Sequence, residues 1–318
     1  MGKKIGLLFS ALCLIAAVVF VLFSDEIAGK GNATVTNTMM VTDSTGRQVS
    51  VPLKPKRVVI LNASNVDLFV AAGGAGSIVG MTTSQALSEE VKQATANAEN
   101  VGMIHSPNME KIISLHPDLV IGVNVPFHVN LIPTLEKAGI PLILNDVSDY
   151  DKIETSLKLF GDITGNSQRA EERFKAINKE YIGIIDSMKD KKPLRSVVIF
   201  GNPQSFSLAT NKTFTGDMIK RLGGINIADG VNSGDSPYIP LSMEFLAKEN
   251  PEVIMIIMMG PPETMQEKIK TELETNPAWR STDAVKNGKV YILPYNLFTV
   301  NPGVQCIDAM KILQGYIY

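Results

Sequence analysis

Short, uninterrupted apolar runs alternate along this chain with stretches whose apolar residues recur three and four positions apart, the pattern of buried parallel strands separated by amphipathic helices. One phrase of the pattern occurs twice. SPNMEKIISLHPDLVIG, Ser106 to Gly122, and PLSMEFLAKENPEVIMI, Pro240 to Ile256, align without a gap at an offset of 134 residues. Met109 matches Met243, Glu110 matches Glu244, Pro117 matches Pro251, Asp118 matches Glu252 and Val120 matches Ile254. Each copy reads as a short helix opened by a cap residue, Asn108 or Ser242, with a glutamate two residues later in the electropositive first turn. Each helix stops before a proline, and an apolar strand follows. RVVI at Arg57 to Ile60 and SVVI at Ser196 to Ile199 form a second matched pair at an offset of 139. One α/β unit used twice predicts two similar lobes with a cleft between them.

VTDSTGRQVSVP alternates around a Ser-Thr-Gly turn and predicts a β-hairpin from about Met40 to Val51. The first lobe then reads as strand Arg57–Leu61, helix Asn65–Ala72, strand Ile78–Met81, the first repeat, helix His128–Ala138 and strand Pro141–Leu144. Tyr150 to Lys192 contains no proline, and Phe174, Ile177, Tyr181, Ile184, Ile185 and Met188 stand at helical spacing. A helix from Ser167 to Lys189 is expected there, roughly 35 Å long, a rod that would limit hinge closure. The second lobe reads as strands Ser196–Phe200 and Phe206–Ala209, helix Thr215–Leu222, the second repeat, helix Glu263–Leu273, strand Val290–Leu293 and a terminal helix Pro302–Tyr316. The expected fold is α/β, two Rossmann-like lobes with mostly parallel sheets joined by a single long α-helix: 40–150, a linking helical segment 151–192, and 193–318.

Ahead of the lobes, Lys3 and Lys4 precede an uncharged run from Ile5 to Ser24, about 30 Å as helix and long enough to cross a hydrocarbon core. Residues 1–24 therefore read as a membrane anchor or as a cleaved signal. Either way the remainder lies outside the cytoplasm, on the outer face of the cytoplasmic membrane or in the periplasm. Cys13 sits in a poor lipobox match, SALC followed by Leu14, and reads as a buried membrane residue. Residues 25–39, rich in Gly, Asn, Thr and Ala, read as a flexible stalk.

Composition narrows the function. The formal charge of −2 becomes −4 once Lys3 and Lys4 are set aside, 28 basic against 32 acidic residues, and no nucleic-acid partner is expected. Cys13 and Cys306 are the only cysteines, which leaves no disulfide for the extracytoplasmic part, and a monomer is expected. GAGSIVG, Gly74 to Gly80, lies between a helix and the next strand, the wrong context for a phosphate loop, and reads as a helix-terminating turn. No G-x-S-x-G, Walker, HExxH or CxxC motif occurs, and the three histidines are scattered. The chain reads as no enzyme; an α/β enzyme using Asp or Ser in the cleft is the remote alternative.

Ligands of open α/β sheets sit beyond the carboxyl ends of the strands. The expected lining is Asn62, Ser64, Met81, Met103, Phe127, Phe206, Lys212, Thr213, Tyr238 and Phe298, rich in Met and aromatic residues and poor in charge. Such a wall suits a large, flat, partly apolar ligand.

DSTGRQVSVPLKPKRVVIL, VGMIHSPNMEKIISLHPDLVIG, LGGINIA and NPAWRSTDAVKNGKVYILP resemble successive signatures of the substrate-binding proteins of ABC importers for haem, cobalamin and ferric siderophores, the class with a rigid helix between two lobes. The resemblance runs from about Val41 to the end. FGNPQSFSLATNKTFTGDMIKRLGGINI is most similar to the haem-binding lipoproteins of iron-regulated surface determinant systems. The resemblance implies capture of haem outside the cell and delivery to a permease dimer with its ATPase subunits, or the same role for cobalamin or a ferric siderophore. In the haem branch a methionine before the P-N-x-E helix and a histidine after the second repeat's strand hold the iron. Here those places are taken by His105 and Met259, the same pair with its lobes exchanged. A His/Met pair favours low-spin iron; loss of one ligand would instead leave five-coordinate haem or another tetrapyrrole.

Competing readings stand beside each residue. His105 is also plausible as a polar loop residue, and Met259, ending VIMIIMMG, as core filler. Met258, His128 and Tyr295 are reserve ligands, Lys212 and Thr213 candidates for the propionates, and His116 a partner for helix carbonyls. Glu110 and Glu244 stabilise helix N-termini by themselves; the resemblance further implies that they engage arginines on the two permease subunits.

Overall fold

The computed structural model describes residues 37–234, 236–260 and 262–318. The expected anchor or signal over 1–24, Cys13 and nearly all of the stalk lie outside the described residues. The chain enters through an antiparallel hairpin, β1 (Thr38–Thr42) and β2 (Gln48–Pro52), with Val41 opposite Val49. Asp43 organises its turn, accepting from the backbone N–H groups of Thr45 and Arg47 and from the Arg47 guanidinium at 2.6 Å. Arg47 also donates to the Leu142 carbonyl, and Ser44 to that of Leu144, so the hairpin is fastened to the edge of the first sheet.

The first lobe follows as β3 (Val58–Ile60), α1 (Ala63–Ala71), β4 (Ile78–Met81), α2 (Glu89–Ala94) and β5 (Glu99–Asn100). A minimal hairpin comes next, β6 (Gly102–Met103) with β7 (Ser106–Pro107), then α3 (Met109–Ser114), β8 (Leu119–Gly122), α4 (Pro126–Val129), α5 (Ile132–Lys137) and β9 (Leu142–Leu144). Its sheet, ordered β5-β4-β3-β8-β9, is parallel throughout. The expected helix His128–Ala138 is broken into α4 and α5, because Pro133 lacks the N–H a continuous helix requires and is tolerated only in a first turn.

Two helices occupy the linking segment. α6 (Tyr150–Thr164), for which no separate helix was expected within the linking segment, ends on Gly165 at φ +73°, a left-handed conformation that glycine adopts without steric cost. α7 (Ser167–Asp186) is the expected rod, three residues shorter than the Lys189 end and about 30 Å long. At its start Arg169 donates to the Ala71 carbonyl of the first lobe. Towards its other end Glu180 pairs with Lys311 at 2.8 Å, in the terminal helix of the second lobe.

That lobe contains β10 (Arg195–Gly201), β11 (Phe206–Ala209), α8 (Phe214–Arg221), β12 (Ile225–Asn226), β13 (Tyr238–Pro240), α9 (Met243–Glu249) and β14 (Val253–Met258). It closes with α10 (Pro262–Thr275), α11 (Pro277–Ser281), α12 (Asp283–Lys286), β15 (Val290–Ile292), α13 (Tyr295–Phe298) and α14 (Cys306–Ile317). The order is β13-β11-β10-β14-β15 with β12 beside β10; β11 runs antiparallel to both neighbours and the remaining pairings are parallel.

The repeat is structural as well as textual. Asn108 accepts from the Lys111 N–H and Ser242 from the Phe245 N–H, capping α3 and α9. Both helices end at a left-handed residue, His116 at φ +46° and Asn250 at φ +43°, which are the matched positions of the two copies. The backbone N–H of His116 donates to the Ile113 carbonyl, so main chain, not the imidazole, closes this turn. Asp118 accepts from the backbone N–H of Lys56 and Arg57 at 2.7 and 3.0 Å, and Glu252 from that of Arg195 at 2.9 Å. Each carboxylate thus clips the start of the strand beside its own.

Direct ties between the lobes supplement the rod. Ser64 Oγ donates to the Asn301 carbonyl at 2.6 Å, the Val304 N–H to Asp67 at 2.8 Å, and the Tyr150 N–H to Asp217 at 3.2 Å. Arg221 joins Asp217 and Asp151 and lies 5.4 Å from the centre of the Tyr150 ring. Asp67 is buried, with Glu90, Arg173 and Cys306 around it, and burial pushes its carboxyl up to about 7. The unfolded chain releases the same proton near pH 4. The folded state therefore holds more protons across that window, so this contribution to stability is full at acid pH and is lost as pH rises through about 7. Relative to Asp67→Asn, the wild type is expected to lose urea resistance between pH 5 and pH 8; parallel pH profiles for the two proteins would disprove the assignment.

Candidate functional site

Large apolar side chains that remain exposed gather where the strands end. Met103 and Ile104 form the tip of the β6/β7 hairpin, Phe127 lies in α4 just after β8, Met259 just after β14, and Tyr295 opens α13 after β15. Met103 and Phe127 are each 51% exposed, Tyr295 43% and Met259 40%; Met40 in β1 and Ile182 in α7 are comparably exposed, so it is the position at strand ends, not exposure by itself, that singles these side chains out. Tyr238 belongs with them, exposed and 5.2 Å from the Phe200 ring near the end of β10.

His105 occupies the tip of the β6/β7 turn, exposed, its ring edge-on to Phe127 with 6.3 Å between centroids. Met259 continues the β14 ladder by one bond, its N–H donating to the Gly201 carbonyl at 2.8 Å, while the side chain stays open to solvent. An imidazole from one lobe and a thioether from the other are thus presented on strand-end loops, both accessible to a ligand.

Other expected site residues are engaged elsewhere. His128 is 0% exposed; its Nδ1 accepts from the Val123 N–H at 3.0 Å and its Nε2 faces the Ile104 carbonyl at 2.9 Å. Burial holds its pKa below the ordinary histidine value, so the ring is neutral, and with both nitrogens committed it is corrected from reserve ligand to internal clip. Asn62 is buried and accepts from Asn65, which also donates to the Gly122 and Asn145 carbonyls. Ser64 is consumed by its bond to Asn301, and Phe298 is core. Thr213 caps α8, accepting from the Gly216 N–H and donating to the Thr210 carbonyl, so its hydroxyl is engaged; Lys212 is exposed and donates to the Gly234 carbonyl.

Met81 and Met258 are half-buried, and Phe206 is packed edge-on against Trp279 at 5.9 Å. Ile104 follows the expected lining residue Met103 and is exposed at the hairpin tip. Sequence reasoning missed one neighbour of the rim. Lys268, on α10, stands 4.4 Å from the centre of the Phe206 ring and donates to the Asn202 carbonyl at 2.9 Å; nothing in its helical spacing announced it. Glu110 and Glu244 lie exposed in the first turns of α3 and α9, and among the described residues neither forms an ion pair.

Residues 58–297 match the family model described as periplasmic binding protein. The chain belongs to that family. Among curated relatives, this binding protein is 28% identical over 284 residues to the uncharacterized ABC transporter substrate-binding lipoprotein YvrC of Bacillus subtilis, covering 87% of this chain and 85% of YvrC. It is 27% identical over 219 residues to the high-affinity heme uptake system protein IsdE of Staphylococcus aureus, covering 69% of this chain and 74% of IsdE. The crystal structure of IsdE complexed with heme superposes with a TM-score of 0.71 at 26% identity, over 82% of this chain and 98% of that one. The structure of Staphylococcus aureus SirA complexed with staphyloferrin B shares the fold, with a TM-score of 0.70 at 22% identity over 88% of this chain and 98% of SirA. These solved structures share the fold of this chain, in which α7 is the long helix between two α/β lobes.

Proposed function

We propose that this binding protein captures haem outside the cell and delivers it to an ABC permease, with His105 and Met259 as axial ligands and the rim of Met103, Phe127, Tyr238 and Tyr295 against the macrocycle. The observation that carries the reading is an exposed imidazole on one lobe, edge-on to the exposed Phe127 ring, and an exposed thioether on the other, both on loops that follow strands. Likeness to a protein crystallised with heme supports it. Glu110 and Glu244 are the docking points for the two permease subunits, and residues 1–24 bring the protein to the membrane.

Haemin added to the fragment beginning near Gly31 is expected to give a shifted, sharpened Soret band. His105→Ala should weaken binding by about 100-fold, since even residues that only support a metal's ligands cost about 10- to 100-fold when lost. Met259→Ala should retain haem and turn a low-spin spectrum into a high-spin one. An unchanged free-haemin spectrum in the wild type would remove haem as the cargo and turn the search to cobalamin and ferric siderophores, read by the same titration.

A further inference from the structure

His128 stands between two segments that the sheet alone does not join. A backbone N–H can only donate, so Nδ1 must be the acceptor of the Val123 bond; a carbonyl can only accept, so Nε2 must carry the proton it gives to Ile104. The partners therefore fix one neutral tautomer. Val123 directly follows β8, and Ile104 is the residue before His105 at the tip of the β6/β7 hairpin.

That hairpin pairs only Gly102 with Pro107 and Met103 with Ser106, too little ladder to hold its tip in one place. Its other ties are at the base, where Thr83 donates to the Gly102 carbonyl. Among the described residues, the His128 bond is the one hydrogen bond that reaches Ile104 or His105 from outside the hairpin. Phe127, the neighbour of His128 in the chain, stands edge-on to the His105 ring. Space for the imidazole is kept by Gly122, where a Cβ would fall 3.0 Å from Nδ1 and 3.0 Å from Leu144 Cδ2.

We propose that His128 is a positioning residue of the binding rim: it holds the β6/β7 tip against the loop after β8 and so fixes where His105 and Phe127 meet a ligand. The inference rests on the reading of that rim as the ligand wall, and its test separates the two.

Amide hydrogen exchange is measured first on the ligand-free protein. His128→Leu keeps bulk and removes both hydrogen bonds, and it is expected to accelerate exchange over Met103–Ser106 and at Val123 by about 10-fold, with β14 amides unchanged. His128→Gln, whose amide can accept from Val123 and donate to Ile104, should restore most of the protection. If His128→Leu does not fold, Gly122→Ala displaces the ring and is read in the same way. Haemin is then added, and the Leu variant should lose the Soret sharpening that depends on His105 while Gln recovers it, a change that a general loss of stability would not produce. Unaltered exchange at the tip, or acceleration spread evenly over the first lobe, overturns the proposal. Absence of a haemin spectrum in the wild type counts against haem only, and the exchange data then decide the role of His128.

Discussion

Glu110→Ala combined with Glu244→Ala is expected to abolish import by whole cells while leaving the purified protein's affinity for its cargo unchanged. Both carboxylates are exposed, and both sit in the first turn of a helix already capped by another side chain, Asn108 or Ser242. Their loss removes a dipole interaction of about 0.3–1 kcal/mol each, too little to unfold the lobes or disturb loops at the strand ends. At a docked interface the same charges count for more, because truncating one partner of a buried charge pair costs about 2–5 kcal/mol. Two such losses suffice to end productive docking at ordinary concentrations. The matched positions of the two repeats would present this pair to the two subunits of a permease dimer, so each single variant should lower uptake partially and the double variant fully. Radiolabelled or growth-coupled uptake beside a ligand titration separates the effects. A fall in cargo affinity, or uptake that persists in the double variant, would refute the docking assignment.

Phe160→Ala is expected to lower the unfolding free energy by about 3–5 kcal/mol, the cost of removing a fully buried aromatic ring and leaving its cavity. Phe160 lies on α6 with no exposed surface, edge-on to Phe69 of α1 at 5.4 Å between centroids. It thereby joins the helix preceding the rod to the first helix of the first lobe. Against a total stability of about 5–15 kcal/mol this is a large share, and the urea midpoint should fall accordingly. Ile182→Ala, on the exposed face of α7, is the control and should change stability by less than about 0.5 kcal/mol. Equal midpoints for the two variants would mean that the α6 contact contributes little to holding the lobe together.

The sequence by itself determined the features whose causes are local. Asn108 and Ser242 cap their helices because a side-chain oxygen one step ahead of a helix meets its free N–H groups whatever else the chain does. The continuous apolar runs became the buried strands β8 and β14, and the helical spacing of Ile177 and Ile184 became the inner face of the rod. The repeat, the two lobes and their joining helix could therefore be read before any coordinates, as could the accessibility of His105 on its loop.

Tertiary structure decided whatever depends on partners distant along the chain. α6 carries its own helical pattern, yet its place against α1 and the turn at Gly165 depend on packing, not on spacing. Proximity to a strand end drew Asn62, Ser64, Thr213 and His128 into the expected binding wall alike. Only the fold revealed that Ser64 is taken by Asn301 and His128 by Val123 and Ile104, partners 237, 5 and 24 positions away. A buried polar group must find its hydrogen bonds wherever the folded chain supplies them, and sequence neighbours do not announce that choice. The same reason explains Asp67, which looks like an ordinary helical aspartate until the fold buries it against the segment of Val304 and Cys306; that burial holds its proton to about pH 7, against the opposing pull of the Val304 N–H and the Arg173 charge.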